Sequence, residues 1–329
     1  MRGFEYYRLT TVSQALALLA KYEGKAAILA GGSDLLGIMK DRLEGPKFHV
    51  PQHLLDIAGI REMGLIKEVR KGLRVGAAVT LTDLASSPLV AAKYPILSQA
   101  AGQVAVPQIR NVGTLGGNLC QRPRCWYFRG RPFKDCLRKG GDTCYAQAGE
   151  NQYHAVFGGE TCCMVSPSDL ATVLAALEAR IEIATPKGVK KVPVAEFYLT
   201  PEKNVLKETM LGPGEMVLAI EIPAPAEGSR GVFLKLKERQ AFDFALASVA
   251  GMVTLRNGVV YDGRIVLGGV ASIPLRATGA ETALRGKRIA DGMRAACEAA
   301  VTGARPLSNN AYKVMAVKGI VEKALTALV

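Results

Sequence analysis

The sequence predicts an α+β protein of two domains. Three observations carry that expectation. The chain has 329 residues, and about 150 residues per domain gives roughly two. Hydrophobic residues make up 49% and charged residues 22%, an ordinary globular balance that excludes a disordered tail, a fibrous repeat and a disulfide-dense miniprotein. The C-terminal third reads as strands followed by helices rather than as their regular alternation. With 35 glycines, the backbone is expected to turn tightly in many places. A formal net charge of +13 calls for an acidic partner, an anionic cofactor or both. No apolar run approaches the length of a membrane span. Met1–Tyr7 holds no stretch of signal-peptide character, so the cytoplasm is the default location, and the periplasm follows only from co-export with a partner.

Residues 12–22 have helical spacing with Ser13 as N-cap. Ala26–Ala30 is a short apolar strand that breaks at Gly31-Gly32-Ser33-Asp34 and passes into a helix from Leu35. Strands are expected at His53–Ile57 and Leu73–Ala77, and Thr80–Asp83 opens a helix. Residues 95–106 look helical and end at Pro107. Ile109–Asn118 carries three glycines and two asparagines, which mark tight turns with positive φ. From Cys120 to Cys163 apolar periodicity is lost, as in an insertion ordered by something other than a hydrophobic core. Ser168-Asp169 caps a helix through Ala179. Alternation returns at Arg180–Ala184 and Met216–Ile222. Pro223–Ser229 reads as a boundary or long turn. Leu246–Arg256 and Val259–Leu267 flank Asn257-Gly258, a hairpin signal. Helices are expected at 277–284, 290–302 and 309–327. No internal repeat or low-complexity tract occurs.

Two glycine clusters are candidate anion cradles. Ala30–Leu35 sits where a strand hands over to a helix, so its backbone N–H groups suit a pyrophosphate. Thr114–Asn118 offers a second cradle with hydroxyl and amide donors. Neither matches the dinucleotide or P-loop fingerprints, which disfavours those nucleotide folds. Taken alone, either cluster reads first as a glycine-rich turn without a ligand, since such loops are common.

The cysteines are more specific. Six of seven lie between Cys120 and Cys163, spaced Cys120-x4-Cys125-x10-Cys136-x7-Cys144-x17-Cys162-Cys163. In a chain without an export signal such a group reads as metal-binding before disulfides. Zinc is one reading, a [4Fe–4S] cluster a second, and unligated thiols a third. Arg122, Arg124, Arg129, Arg131, Lys134, Arg138 and Lys139 would offset the negative charge of a four-thiolate cluster. His154 beside it is a weaker candidate ligand, and His53 reads as structural. No serine–histidine–aspartate or paired-carboxylate pattern emerges. Basic residues are not interleaved with aromatics, so nucleic acid is not expected as a partner.

Together these residues resemble a family. Ile28–Leu35, Val112–Leu119 and Ser166–Leu170 recur in that order in the FAD-binding subunits of the xanthine dehydrogenase family of molybdenum hydroxylases, and Val266–Arg276 looks like their C-terminal domain. The resemblance covers essentially the whole chain. The cysteine insertion is similar to the [4Fe–4S] loops of two members, the 4-hydroxybenzoyl-CoA reductase beta subunit and the FAD subunit of aromatic aldehyde oxidoreductases. Arg124–Phe128 and His154–Gly158 look nearest the second.

The resemblance implies a two-part FAD-binding domain of the vanillyl-alcohol-oxidase/CO-dehydrogenase flavoprotein type over residues 1–224. Its parts are 1–55 and 56–224, with the iron–sulfur loop 120–163 inserted. A C-terminal α+β domain follows over 225–329, a three-stranded sheet with helices. The implied FAD residues are Leu29, Ala30, Gly31, Gly32, Ser33, Asp34, Leu35, Thr114, Gly117, Asn118, Asp169, Leu218 and Lys235. The implied cluster ligands are Cys125, Cys136, Cys144 and Cys162, with Cys163 or Cys120 as replacements if the register shifts. No catalytic residue is expected on this chain.

The implied role is an electron-transfer subunit of a heterotrimer. A large subunit would hold the molybdenum cofactor, and a small subunit the [2Fe–2S] clusters. Aldehyde oxidation is the leading activity. A reductase fed by ferredoxin or another carrier is a second reading, and a zinc-stabilised binding protein without redox activity a third.

Overall fold

The computed structural model describes residues 1–329 and holds three sheets, each drawn from one consecutive stretch of chain. The first contains β1 (Glu5–Arg8), β2 (Ala26–Leu29) and β3 (His53–Asp56), parallel in the order β1-β3-β2. Parallel neighbours need crossovers, and helix Val12–Lys21 makes the first of these. Its N-cap is Thr11, whose Oγ1 accepts from the Gln14 N–H at 3.2 Å. The expected cap, Ser13, instead lies inside the first turn. Helix Leu35–Lys40 leaves the end of β2 after the first glycine cluster.

The second sheet contains β4 (Ile66–Val69), β5 (Gly72–Gly76), β6 (Arg180–Thr185), β7 (Gly188–Pro193) and β8 (Met216–Pro223). The strands are antiparallel in the order β4-β5-β8-β6-β7. The central strands β5, β6 and β8 bury Leu73, Val75, Ile181, Ile183 and Ile220 in the main core. The edge strands β4 and β7 carry exposed or half-exposed lysines, Lys67 in β4 and Lys190 and Lys191 in β7, which discourage further edge pairing.

The third sheet contains β9 (Ser229–Leu236), β10 (Ala247–Arg256), β11 (Val259–Gly268) and β12 (Leu275–Arg276), in the order β12-β11-β10-β9. The two-residue β12 makes this sheet four-stranded where three strands were expected. At the β10–β11 turn Asn257 has φ 51° and Gly258 φ 77°, the left-handed pair that a two-residue hairpin requires. Side chains of β10 alternate between two cores, as strand geometry dictates. Ala250 and Met252 join the main core, while Val249 and Val253 pack with Val317, Val321 and Leu325 of helix Tyr312–Leu328. No helix is long and apolar enough to cross a membrane.

The cysteine insertion has little regular structure beyond helical turns at Trp126–Arg129 and Leu137–Lys139. It does have a small apolar core, which periodicity did not reveal. Phe128 and Cys136 pack with Ile38 and Leu43. Its far side is fastened to the C-terminal region by buried polar bonds. Asn310 Nδ2 donates to the carbonyls of His154 (3.2 Å) and Ala155 (3.1 Å). Lys313 Nζ donates to those of Tyr153 (3.0 Å) and Gly269 (2.8 Å).

Candidate functional site

The two glycine clusters meet. Gly32 has φ 70°, the conformation that favours glycine. Gly31 is needed for space: a Cβ there would stand 2.0 Å from the Val112 carbonyl oxygen. The N–H groups of Gly31, Gly32, Ser33 and Asp34 have no partner within the chain. The second cluster is not a run of left-handed turns as expected. Residues Leu115–Leu119 form a short helix capped by Thr114, whose Oγ1 accepts from Gly117 N–H at 3.1 Å. None of Gly113, Gly116 and Gly117 has positive φ. Gly116 serves contact instead, because a Cβ there would lie 2.7 Å from the Ala77 Cβ.

The third motif joins the second. Ser168 Oγ donates to Asn118 Oδ1 at 2.6 Å and also caps helix Asp169–Ala176. Asp169 pairs with Lys235 at 2.7 Å, and both side chains are buried. Burial pushes the Asp169 carboxyl above its usual range, with Lys235 opposing.

These parts line one cleft of about 490 Å³, within the range of cofactor sites. It gathers Ala30, Gly31, Gly32, Ser33, Asp34, Leu35, Thr114, Gly117, Asn118, Asp169 and Lys235. Leu29 and Leu218 do not border it. Leu29 sits at the end of β2, and Leu218 is buried in β8 with its carbonyl accepting from the Ala77 N–H at 3.0 Å. Phe242 and Phe244 also border the cleft and escaped sequence reasoning, since they fall in no motif. The fit to FAD is good: unpartnered N–H groups face a cleft whose wall has no room for a Cβ, as a pyrophosphate requires.

Beyond the first cluster lies the cysteine site. Cys125 feels Cys136 and Cys144, and Cys162 and Cys163 are neighbours of Cys144. These neighbours hold the Cys144 thiol well below its ordinary value, and Cys144 together with burial pushes Cys162 and Cys163 up. Burial, helped by the neighbouring Cys136 and Cys144 and opposed by the backbone N–H groups of Phe128 and Tyr127, pushes Cys125 up to about 11. Cys120 stands apart. It borders the cleft, beside Glu208 and Tyr198. His154 Nε2 lies 3.2 Å from Cys125 Sγ, so its contact is with a sulfur rather than with the centre of the group. No three or more His, Cys, Asp or Glu side chains are close enough to hold a single metal ion.

The surroundings of these sulfurs are cationic. Arg138 and Lys139 are 1% and 0% exposed, a placement rare for such residues without partners. Lys139 Nζ donates to the Gly130 and Phe133 carbonyls at 2.7 and 3.0 Å. Arg138 shares one oxygen of Glu208 with Arg122, which lies 3.0 Å from it. The loop also grips the first glycine cluster through Asp34. That carboxylate accepts from Arg129 Nη2 at 2.6 Å and from the Arg122 backbone N–H at 2.9 Å, and pairs with Arg124 at 3.0 Å. A second cavity, of about 260 Å³, reaches from Cys125, Trp126 and His154 to Ser168 and Asp169. It shares Arg124, Pro167, Asp169, Asp243 and Phe244 with the cleft.

A glycine-cradled anion cleft abutting a thiol-rich loop defines a flavin-holding redox subunit. The chain belongs to the family described as the FAD binding domain in molybdopterin dehydrogenase, which matches residues 2–225. The CO dehydrogenase flavoprotein C-terminal domain matches residues 232–328. The chain is 36% identical over 323 residues to the aldehyde oxidoreductase FAD-binding subunit PaoB of Escherichia coli (strain K12), covering 97% of this chain and 96% of that one. It is 31% identical to the carbon monoxide dehydrogenase medium chain of Hydrogenophaga pseudoflava, covering 98% and 96%. A solved structure of the carbon monoxide dehydrogenase from Hydrogenophaga pseudoflava, lacking the Mo-pyranopterin moiety of its cofactor, superposes with TM-score 0.78 at 32% identity over 99% of this chain and 97% of that one. The chain is thus an FAD-binding medium subunit of the molybdenum hydroxylase family, and an oxidoreductase component.

Proposed function

We propose that this chain is the FAD- and [4Fe–4S]-containing electron-transfer subunit of a molybdenum-dependent aldehyde oxidoreductase. Substrate chemistry belongs to a large subunit with the molybdenum cofactor. Electrons reach this chain through a small [2Fe–2S] subunit, completing a heterotrimer. The likeness to the E. coli aldehyde oxidoreductase subunit supports the aldehyde. FAD supplies the conversion between two-electron and one-electron transfer.

The residues of the chain then have definite work. The N–H groups of Gly31–Asp34 bind the pyrophosphate, with Leu29 and Leu35 shaping the loop ends. Thr114, Gly117 and Asn118 hold the facing side. Arg124 and Arg129 neutralise Asp34, so that its carboxylate does not repel the phosphates beside it. Asp169 and Lys235 orient one another near the isoalloxazine, and Leu218 backs it from β8. Cys125, Cys136, Cys144 and Cys162 hold the cluster, a one-electron carrier. His154 steadies Cys125.

The observation that carries the cluster is the buried charge. Arg138 and Lys139 are enclosed with a single carboxylate, Glu208, which Arg122 also claims. Uncompensated burial of a charge costs several kcal/mol, and an anionic four-thiolate cluster supplies the compensation.

The test is anaerobic purification with iron, acid-labile sulfide and flavin assays. About four irons and four sulfides per flavin are expected. Flavin without iron refutes the cluster and leaves the FAD subunit intact. Zinc without iron refutes the redox role of the loop.

A further inference from the structure

Arg138 stands out among the cations of the cysteine loop. Its side chain is 1% exposed. One terminal nitrogen, Nη2, is given to Glu208. The other two, Nε and Nη1, are buried and have no hydrogen-bond partner. Arg138 stands two residues from Cys136, and its guanidinium is near enough to the Cys162 sulfur for each to feel the other's charge. Lys139 differs, because its ammonium is already taken by two backbone carbonyls at 2.7 and 3.0 Å. Buried donors left unpaired are costly, so two of them on one side chain point to an acceptor.

We propose that Arg138 sets the reduction potential of the cluster and that Glu208 opposes it. This rests on the cluster reading above. Reduction by one electron adds a negative charge to the four-thiolate group. A guanidinium held by Glu208 near a ligand sulfur, with N–H groups free to donate, stabilises the reduced form more than the oxidised one. Glu208 has the reverse effect. It fixes the guanidinium in place, but its own negative charge offsets the guanidinium's. Low local dielectric keeps both effects from being screened.

The opposed signs make the test. The full chain, purified anaerobically, is titrated with a reductant while the reduced cluster is followed by electron paramagnetic resonance. In Arg138→Gln the reduced-to-oxidised ratio at a fixed potential falls about tenfold, a shift of about 59 mV downward for one electron. In Glu208→Gln the midpoint moves upward. Arg138→Lys keeps the charge but not the fork, and falls between wild type and Arg138→Gln. Arg131→Gln, an exposed arginine of the same loop, leaves the midpoint in place because solvent and salt screen it.

A wild-type midpoint in Arg138→Gln overturns the proposal. So does movement of Arg138→Gln and Glu208→Gln in the same direction, which marks general loosening of the loop. If Arg138→Gln loses iron, Arg138→Lys and Glu208→Gln decide, and an unmoved Glu208→Gln refutes it. Absence of iron from the wild-type chain is a separate result, which removes the cluster reading itself.

Discussion

Replacing Gly31 by alanine tests the cradle where it is tightest. The added Cβ would lie 2.0 Å from the Val112 carbonyl oxygen and 2.6 Å from its carbon, whereas real Cβ atoms essentially never approach within 3.0 Å. Both partners are backbone, so no side chain can swing away. The loop 30–35 and the segment 112–118 must separate by about 1 Å, and hydrogen bonds lengthened by that much are lost. Each bond to a charged phosphate contributes about 1.5–3 kcal/mol, so losing one weakens flavin binding roughly tenfold to a hundredfold. Gly37→Ala is the control. It lies in helix Leu35–Lys40, and nothing stands within 4 Å of its Cβ position. There alanine stabilises by about 0.4–1 kcal/mol and leaves flavin alone. The assay is flavin per chain after purification, together with the dissociation constant from fluorescence quenching on titrating the apoprotein. Full occupancy and unchanged affinity in Gly31→Ala would refute the pressed-loop argument.

Asp169→Asn leaves the buried Lys235 ammonium, 2% exposed, without its partner. Breaking such a pair costs about 3–5 kcal/mol, and Asp169→Asn/Lys235→Met recovers most of the loss in thermal unfolding. Cys162→Ala loses iron while Cys163→Ala and Cys120→Ser keep it, as measured by iron per chain; iron retained in Cys162→Ala shifts the ligand to Cys163. Burial holds the Lys313 amine down to about 7 from an ordinary value of 10.5. Between those values the unfolded chain binds the extra proton, so this group makes stability rise with pH from about 7 to about 10.5. In Lys313→Met that contribution to the slope is absent, which urea unfolding across this pH range measures.

How much of this was legible depends on where the cause of each feature lies along the chain. The β10–β11 hairpin was readable because Asn257-Gly258 carries its own φ requirement. The strand break at Gly31-Gly32-Ser33-Asp34 was readable from local composition too, although the left-handed φ of Gly32 was not assigned. Gly116 was misread as a positive-φ turn because its real constraint is the Ala77 side chain, which sequence spacing does not reveal. Edge strand β7, Gly188–Pro193, escaped because lysines replace the apolar alternation that marks a half-buried strand. Lys313 reads as one more surface lysine on a helix, and only the docking of the 151–157 segment encloses it. The cationic character of the cysteine loop was plain, but its partners were not. Asp34 belongs to the first glycine cluster, and Glu208 lies in a loop without pattern. That Asp34 pairing changes the meaning of the insertion. Arg122, Arg124 and Arg129 tie the thiol-rich loop to the same carboxylate that closes the flavin cradle. A loop that loses its order therefore releases Asp34 as a bare negative charge beside the glycine cradle, so on the cluster reading proposed above, filling the cysteine site and retaining flavin are linked equilibria rather than independent ones.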